Sequence, residues 1–149
     1  MSRFNLRVYA LITNEQNEIL VSDECRYGKF FTKFPGGGVE DGEGILAALK
    51  RELSEELNLT EYPKPQFFYF NEFHQASAFD NSNLVAFYYR VSIQKKEVPL
   101  SSEHYEIPFF KEQEKQRWVG LRELKVSNLT FPIDRIVLEK FQKEYELSI

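Results

Sequence analysis

Residues 34–59 read FPGGGVEDGEGILAALKRELSEELNL, and the two halves of this stretch follow different rules. Pro35 and the three glycines Gly36, Gly37 and Gly38 halt the apolar run before them and leave backbone that no side chain obstructs. From about Gly44 to Leu57 apolar residues return at helical spacing, with Leu46, Leu49, Leu53 and Leu57 three or four positions apart. At about 100° per residue, Glu52, Glu55 and Glu56 fall within an arc of about 100°, separate from the leucine arc. An acidic helical face is therefore expected directly behind a glycine bend.

A solvated surface is the ordinary fate of charged helical residues. Here, however, like charges three and four residues apart repel each other, and they lie toward the helix C-terminus, where the macrodipole also disfavours anions. A local rule broken in this way points to a function that requires it. Clustered carboxylate oxygens are preferred ligands of hard divalent cations, magnesium first and manganese second. The glycine loop adds a second reason, because bare backbone lets amides and carbonyls approach a ligand closely.

In register, these residues resemble the signature of the Nudix hydrolase family: a Gly, five residues, a Glu, seven residues, then Arg-Glu-aliphatic-any-Glu-Glu-any-Gly-aliphatic. The chain sets Gly37, Glu43, Arg51, Glu52, Leu53, Glu55, Glu56 and Leu59 at those positions. The closing Gly is Asn58 here, the non-glycine residue that best tolerates the left-handed turn ending such a helix. The resemblance implies an α+β fold, an α/β/α sandwich with a mixed β-sheet between helices. It also implies magnesium- or manganese-dependent hydrolysis of a pyrophosphate bond in a nucleoside diphosphate linked to another moiety, by water attack on phosphorus. Glu52, Glu55 and Glu56 are the matching metal-ligand positions, with Glu52 the first candidate to take the proton from water, although the base varies within the family. Gly37 would offer its backbone carbonyl to the metal, or permit the loop. Arg51 would pair with Glu43 or Glu55 to orient the carboxylates, since a guanidinium suits two-pronged contacts. Family members often add a carboxylate from a later loop; Glu103, Glu106, Glu112 and Glu114 are available, and Glu112 or Glu114 is preferred.

Outward from this stretch, Phe4 to Ile12 and Glu18 to Val21 read as an opening hairpin, and Lys29 to Phe34 as a third strand. Gln66 to Phe73 and Leu84 to Gln94 are expected strands, joined through the polar turn Asp80 to Asn83. Lys95 to Gln116 reads as a long connection, Arg117 to Leu121 as a last short strand, and Phe131 to Leu147 as a helix using Ile133, Ile136, Val137, Phe141 and Tyr145. Tyr27, Phe30, Phe31 and Phe73 are candidates for an aromatic substrate clamp. Trp118 is expected in the core, and His74 and His104 are expected at the surface.

The 149 residues suit a single domain spanning 1–149. An apolar fraction of 42% and an aromatic fraction of 15% suffice for a substantial core. The net charge of -4 disfavours a passive polyanion binder, so phosphate chemistry must recruit cations. One cysteine, Cys25, cannot form an intrachain disulfide, and no membrane-length apolar run occurs; the expectation is a cytoplasmic protein, monomer or homodimer, with no nucleic-acid or membrane partner. The alternative is a catalytically inactive Nudix-fold module for nucleotide sensing or protein interaction, which the filled glutamate positions argue against. A diphosphate isomerase on the same scaffold would need a catalytic cysteine, and Cys25 reads as sitting in a loop.

Overall fold

The computed structural model describes residues 3–100 and 104–147. Along the chain run β1 (Phe4–Thr13), β2 (Glu18–Arg26), β3 (Lys29–Lys33), β4 (Gly36–Gly38), α1 (Ile45–Leu57), β5 (Gln66–Phe70), β6 (Asn83–Ser92), β7 (Gln113–Gly120) and α2 (Pro132–Leu147). Single 3-10 turns lie at Lys95–Glu97 and Val126–Asn128. The result is a mixed β-sheet with two helices, the fold class expected from the sequence. By internal contact the chain forms two compact units, one of Met1–Ile12 and Pro35–Ser92, the other of Thr13–Phe34 and Ile93–Ile149.

In the first unit the glycine stretch is a strand, where the sequence suggests only a bend. β4 pairs antiparallel with β1 through Arg7↔Gly38, Val8↔Gly37 and Tyr9↔Gly36. Backbone pairing needs no side chain, and at Gly36 it forbids one: with φ at 141°, a Cβ there would collide with the Val8 carbonyl oxygen. β6 lies between β1 and β5, and β5 pairs antiparallel with β6 across a bulge between Phe67 and Tyr69. β5 stops at Phe70, short of the expected Phe73, because the buried Asn71 side chain takes over the backbone partners. Its amide donates to the Phe73 and Leu84 carbonyls, and its oxygen accepts the Ala86 N–H.

Helix α1 buries Ala48, Leu49, Leu53 and Leu57. Leu46, expected on that face, is 42% exposed. It lies in the first turn, and the correct angle around a helix buries a residue only where another element lies beneath it. At the other end Asn58 adopts φ 52°, ψ 31°, as expected for the missing glycine, and its N–H donates to the Leu53 and Ser54 carbonyls.

In the second unit β2 is central, flanked antiparallel by β3 (Ser22↔Lys33 to Arg26↔Lys29) and by β7 (Glu18↔Gly120 to Cys25↔Gln113). β7 begins four residues before the expected Arg117. The polar run Gln113 to Gln116 hides it from a search for apolar alternation, and its partner strand supplies the pairing. β2 likewise runs on to Arg26, so Cys25 is a buried strand residue rather than a loop residue. In α2 the buried side chains are Ile133, Asp134, Val137, Leu138 and Phe141. Among the described residues no helix is long and apolar enough to cross a membrane.

Candidate metal and phosphate site

The first unit brings the glycine strand and the acidic helix together at one point. A Cβ built on Gly37 would lie 2.5 Å from Glu52 Oε1, 2.7 Å from its Cδ and 2.9 Å from Oε2. The Glu52 carboxylate therefore occupies the space that any side chain at position 37 would fill. Its side chain is only 14% exposed, whereas that of Glu55 is 61% exposed and Glu56 is half-buried.

Arg51 organises the surroundings. Its Nε donates to Glu43 Oε2 at 2.8 Å and its Nη2 to Glu43 Oε1 at 2.9 Å, the two-pronged contact expected of a guanidinium. Nη2 also donates to the Gly38 carbonyl at 2.9 Å, while Nη1 reaches Glu52 Oε1 at 3.0 Å and Glu55 Oε2 at 3.4 Å. One side chain thus ties the end of β4, the loop after it and the helix into a unit. The sequence left Arg51 a choice between Glu43 and Glu55; the structure gives it both, along with Glu52 and a backbone carbonyl. The Glu40 N–H completes the set by donating to Glu43 Oε1. Hydrogen bonding from Arg51, then from the Glu40 amide, holds the Glu43 carboxyl down at about 2. Hydrogen bonding to Glu43, opposed by burial, raises Arg51 in turn.

Among the described residues no three His, Cys, Asp or Glu side chains are gathered closely enough to form a ready-made ion cage. Arg51 draws Glu52 and Glu55 to the same guanidinium nitrogen. The residues present nevertheless suit a hard divalent cation. The donors are carboxylate oxygens, one of them seated on bare backbone, and one of the others is open to solvent.

The remaining candidates fall as follows. Phe31 is 4% exposed and packs against Phe131, which removes it from any substrate clamp. Phe30 sits edge-on to Phe109. Tyr27 is 82% exposed at a hairpin tip with φ 55°, and Phe73 is exposed in the first unit. Glu112 accepts the Tyr27 N–H, and Glu114 accepts from Arg26 and Gln116 within β7. Glu106 is exposed, and Glu103 lies outside the described residues. His74 meets Asn83 Oδ1 at 3.0 Å. Trp118 is half-buried rather than a full core residue.

Sequence reading missed a buried polar network in the second unit. Asp23 is fully buried and accepts from Thr32 Oγ1 at 2.6 Å, Tyr105 OH at 2.7 Å and Arg117 Nε at 2.7 Å. Burial, then the hydrogen bond to Asp23, pushes the Tyr105 phenol up, so it remains a donor. Beside it, Lys33 and Glu24 form a buried ion pair at 3.0 Å. The available signal was the polar triplet Ser22-Asp23-Glu24 set between the apolar run Ile19 to Val21 and Cys25.

Comparison with known proteins adds three findings. The NUDIX domain family model matches residues 3–141. An RNA pyrophosphohydrolase of Vibrio cholerae serotype O1 is 39% identical over 57 residues, 38% of this chain and 32% of that protein; the match spans about a third of the length of such curated relatives. Among solved structures, a NUDIX hydrolase from Nitrosomonas europaea superposes with a TM-score of 0.68 at 18% identity, covering 95% of this chain and 90% of that one. A MutT NUDIX hydrolase from Burkholderia pseudomallei gives 0.66 at 21% identity, covering 93% and 98%. At these identities the structural likeness is one of fold.

Proposed function

Since the chain belongs to the NUDIX family, we propose that it is a divalent-metal-dependent pyrophosphohydrolase acting on a nucleotide-like substrate. The observation that carries this reading is the seating of the Glu52 carboxylate on Gly37, with Arg51 locking Glu43, Glu52 and Glu55 in one register. The matched family region runs through both compact units, which supports treating residues 1–149 as one catalytic domain.

In this reading Glu52, Glu55 and Glu56 hold the cation, with the Gly37 backbone as a further oxygen donor. A bound magnesium or manganese ion supplies Lewis acidity toward phosphate oxygens and a lowered pKa for water. Glu52 accepts the proton as the water oxygen forms its bond to phosphorus and the anhydride P–O bond breaks, the leaving phosphate carrying away that electron pair. Arg51 keeps the carboxylates oriented and takes no proton, because its own is held more tightly than in a free arginine. An additional carboxylate, Glu112 or Glu114, completes the set. Tyr27, Phe30 and Phe73 remain the candidates for contact with a flat substrate ring.

A panel of nucleoside triphosphates, ADP-ribose, dinucleoside polyphosphates and sugar nucleotides, assayed with magnesium and with EDTA, tests the proposal. Release of phosphate or a nucleoside monophosphate from at least one member, dependent on the metal, is expected. No turnover across the panel, together with no binding of magnesium or manganese in calorimetry, would overturn it.

A further inference from the structure

The second unit carries an open cavity of about 670 Å³, and the described residues along it all belong to that unit. Its size falls in the range of small-molecule sites, roughly 300–1,000 Å³. Every charged residue among the described lining is basic: Lys95, Lys96 and Arg117, with His104 beside them. That is a local reversal in a chain whose net charge is -4. Two of these cations are already engaged, Lys95 with Glu18 at 2.8 Å and Arg117 with Asp23. Lys96 is exposed and makes no ion pair among the described residues.

The walls supply flat and apolar surface. Trp118 and Tyr105 border the space, with the apolar residues at 98–100. The phenol of Tyr105 is tied to Asp23, and Lys115 lies 5.0 Å from the centre of its ring, so that wall is held in place. The Trp118 indole N–H is buried and has no acceptor among the described residues.

We propose that this cavity is a second, non-catalytic binding site for a nucleoside phosphate. The base packs against the aromatic walls and the phosphate pairs with Lys96 and His104. A bare phosphate ion would leave most of a 670 Å³ space and its apolar wall unused. The described lining takes no residue from the acidic helix.

Trp118 is the only tryptophan in the chain, so its fluorescence reports on this cavity directly. The full chain in EDTA, where no metal can engage the acidic helix, is titrated with ADP, UDP, adenosine and inorganic phosphate. ADP or UDP should produce a saturable change in emission, with adenosine and inorganic phosphate each binding about tenfold more weakly or worse. Lys96→Ala should weaken the nucleotide response about tenfold. Glu55→Gln should leave it within about twofold of the parent. The proposal fails if neither ADP nor UDP gives a saturable response. It fails equally if the response is indifferent to Lys96→Ala, or if Glu55→Gln abolishes it. Turnover plays no part in this readout, so its failure leaves the hydrolase reading separately testable.

Discussion

Gly37→Ala separates a site effect from a folding effect. The new Cβ would sit 2.5 Å from Glu52 Oε1, where ordinary contact begins at 3.4 Å, so the carboxylate must retreat by about 0.9 Å. Its position is at the end of a flexible side chain and the Gly37 φ is an ordinary one, so the fold can absorb the change cheaply. The carboxylate cannot retreat without disturbing its 3.0 Å bond to Arg51. A displacement of about 1 Å in a positioned catalytic group costs on the order of a hundredfold in rate, or about 2.7 kcal/mol of barrier. The assay is metal-dependent turnover of whichever panel nucleotide the parent protein hydrolyses, alongside a thermal melt. Turnover should fall about a hundredfold while Tm changes by no more than a few degrees. Gly36→Ala is the contrasting control. There the Cβ meets the Val8 carbonyl oxygen and lies 2.7 Å from Tyr9 Cα at a φ of 141°, which should destabilise the protein by roughly 2–5 kcal/mol. Full turnover in Gly37→Ala with an unchanged melt would refute the role given to the seated Glu52.

Glu55→Gln and Glu56→Gln should each lower metal-dependent turnover at least about a hundredfold with the melt preserved, and unchanged kinetics would remove that residue from the ligand set. Replacing Glu112 or Glu114 by Gln should depress turnover at subsaturating metal; if both variants match the parent, the additional carboxylate lies elsewhere. Leu49→Ala and Leu53→Ala, both at fully buried positions, should cost roughly 2–5 kcal/mol in urea denaturation through cavity formation. The Glu43 carboxyl is held near 2 when folded against an ordinary value of 4.5, so it stabilises the fold above about 4.5 and loses that contribution as pH falls toward 2. The Tm difference between the parent and Glu43→Gln should therefore be constant at neutral pH and close between about 4.5 and 2. A difference independent of pH would mean that Arg51 does not select the ionised carboxylate.

The chemistry of residues 37–59 was legible in the linear chain because it depends on short-range periodicity. A helix converts a spacing of three or four residues into a shared face, so Glu52, Glu55 and Glu56 could be grouped, and Asn58 recognised as its left-handed stop, without any knowledge of distant residues. Partners from elsewhere in the chain decided the rest. Three glycines carry no strand preference of their own, and they form β4 only because Arg7, Val8 and Tyr9 present a backbone edge to them. The polar start of β7 is a strand because β2 pairs with it. Phe31 and Tyr27, four residues apart and both aromatic, were indistinguishable as clamp candidates. Contact with Phe131, a hundred residues away, buries the first, while the hairpin tip exposes the second. Arg51 could be assigned to the carboxylates by spacing alone, yet its hold on the Gly38 carbonyl exists only once strand and helix are side by side. Local periodicity is written into neighbouring residues; burial and cross-strand pairing depend on what the folded chain brings alongside, and only tertiary structure supplies that.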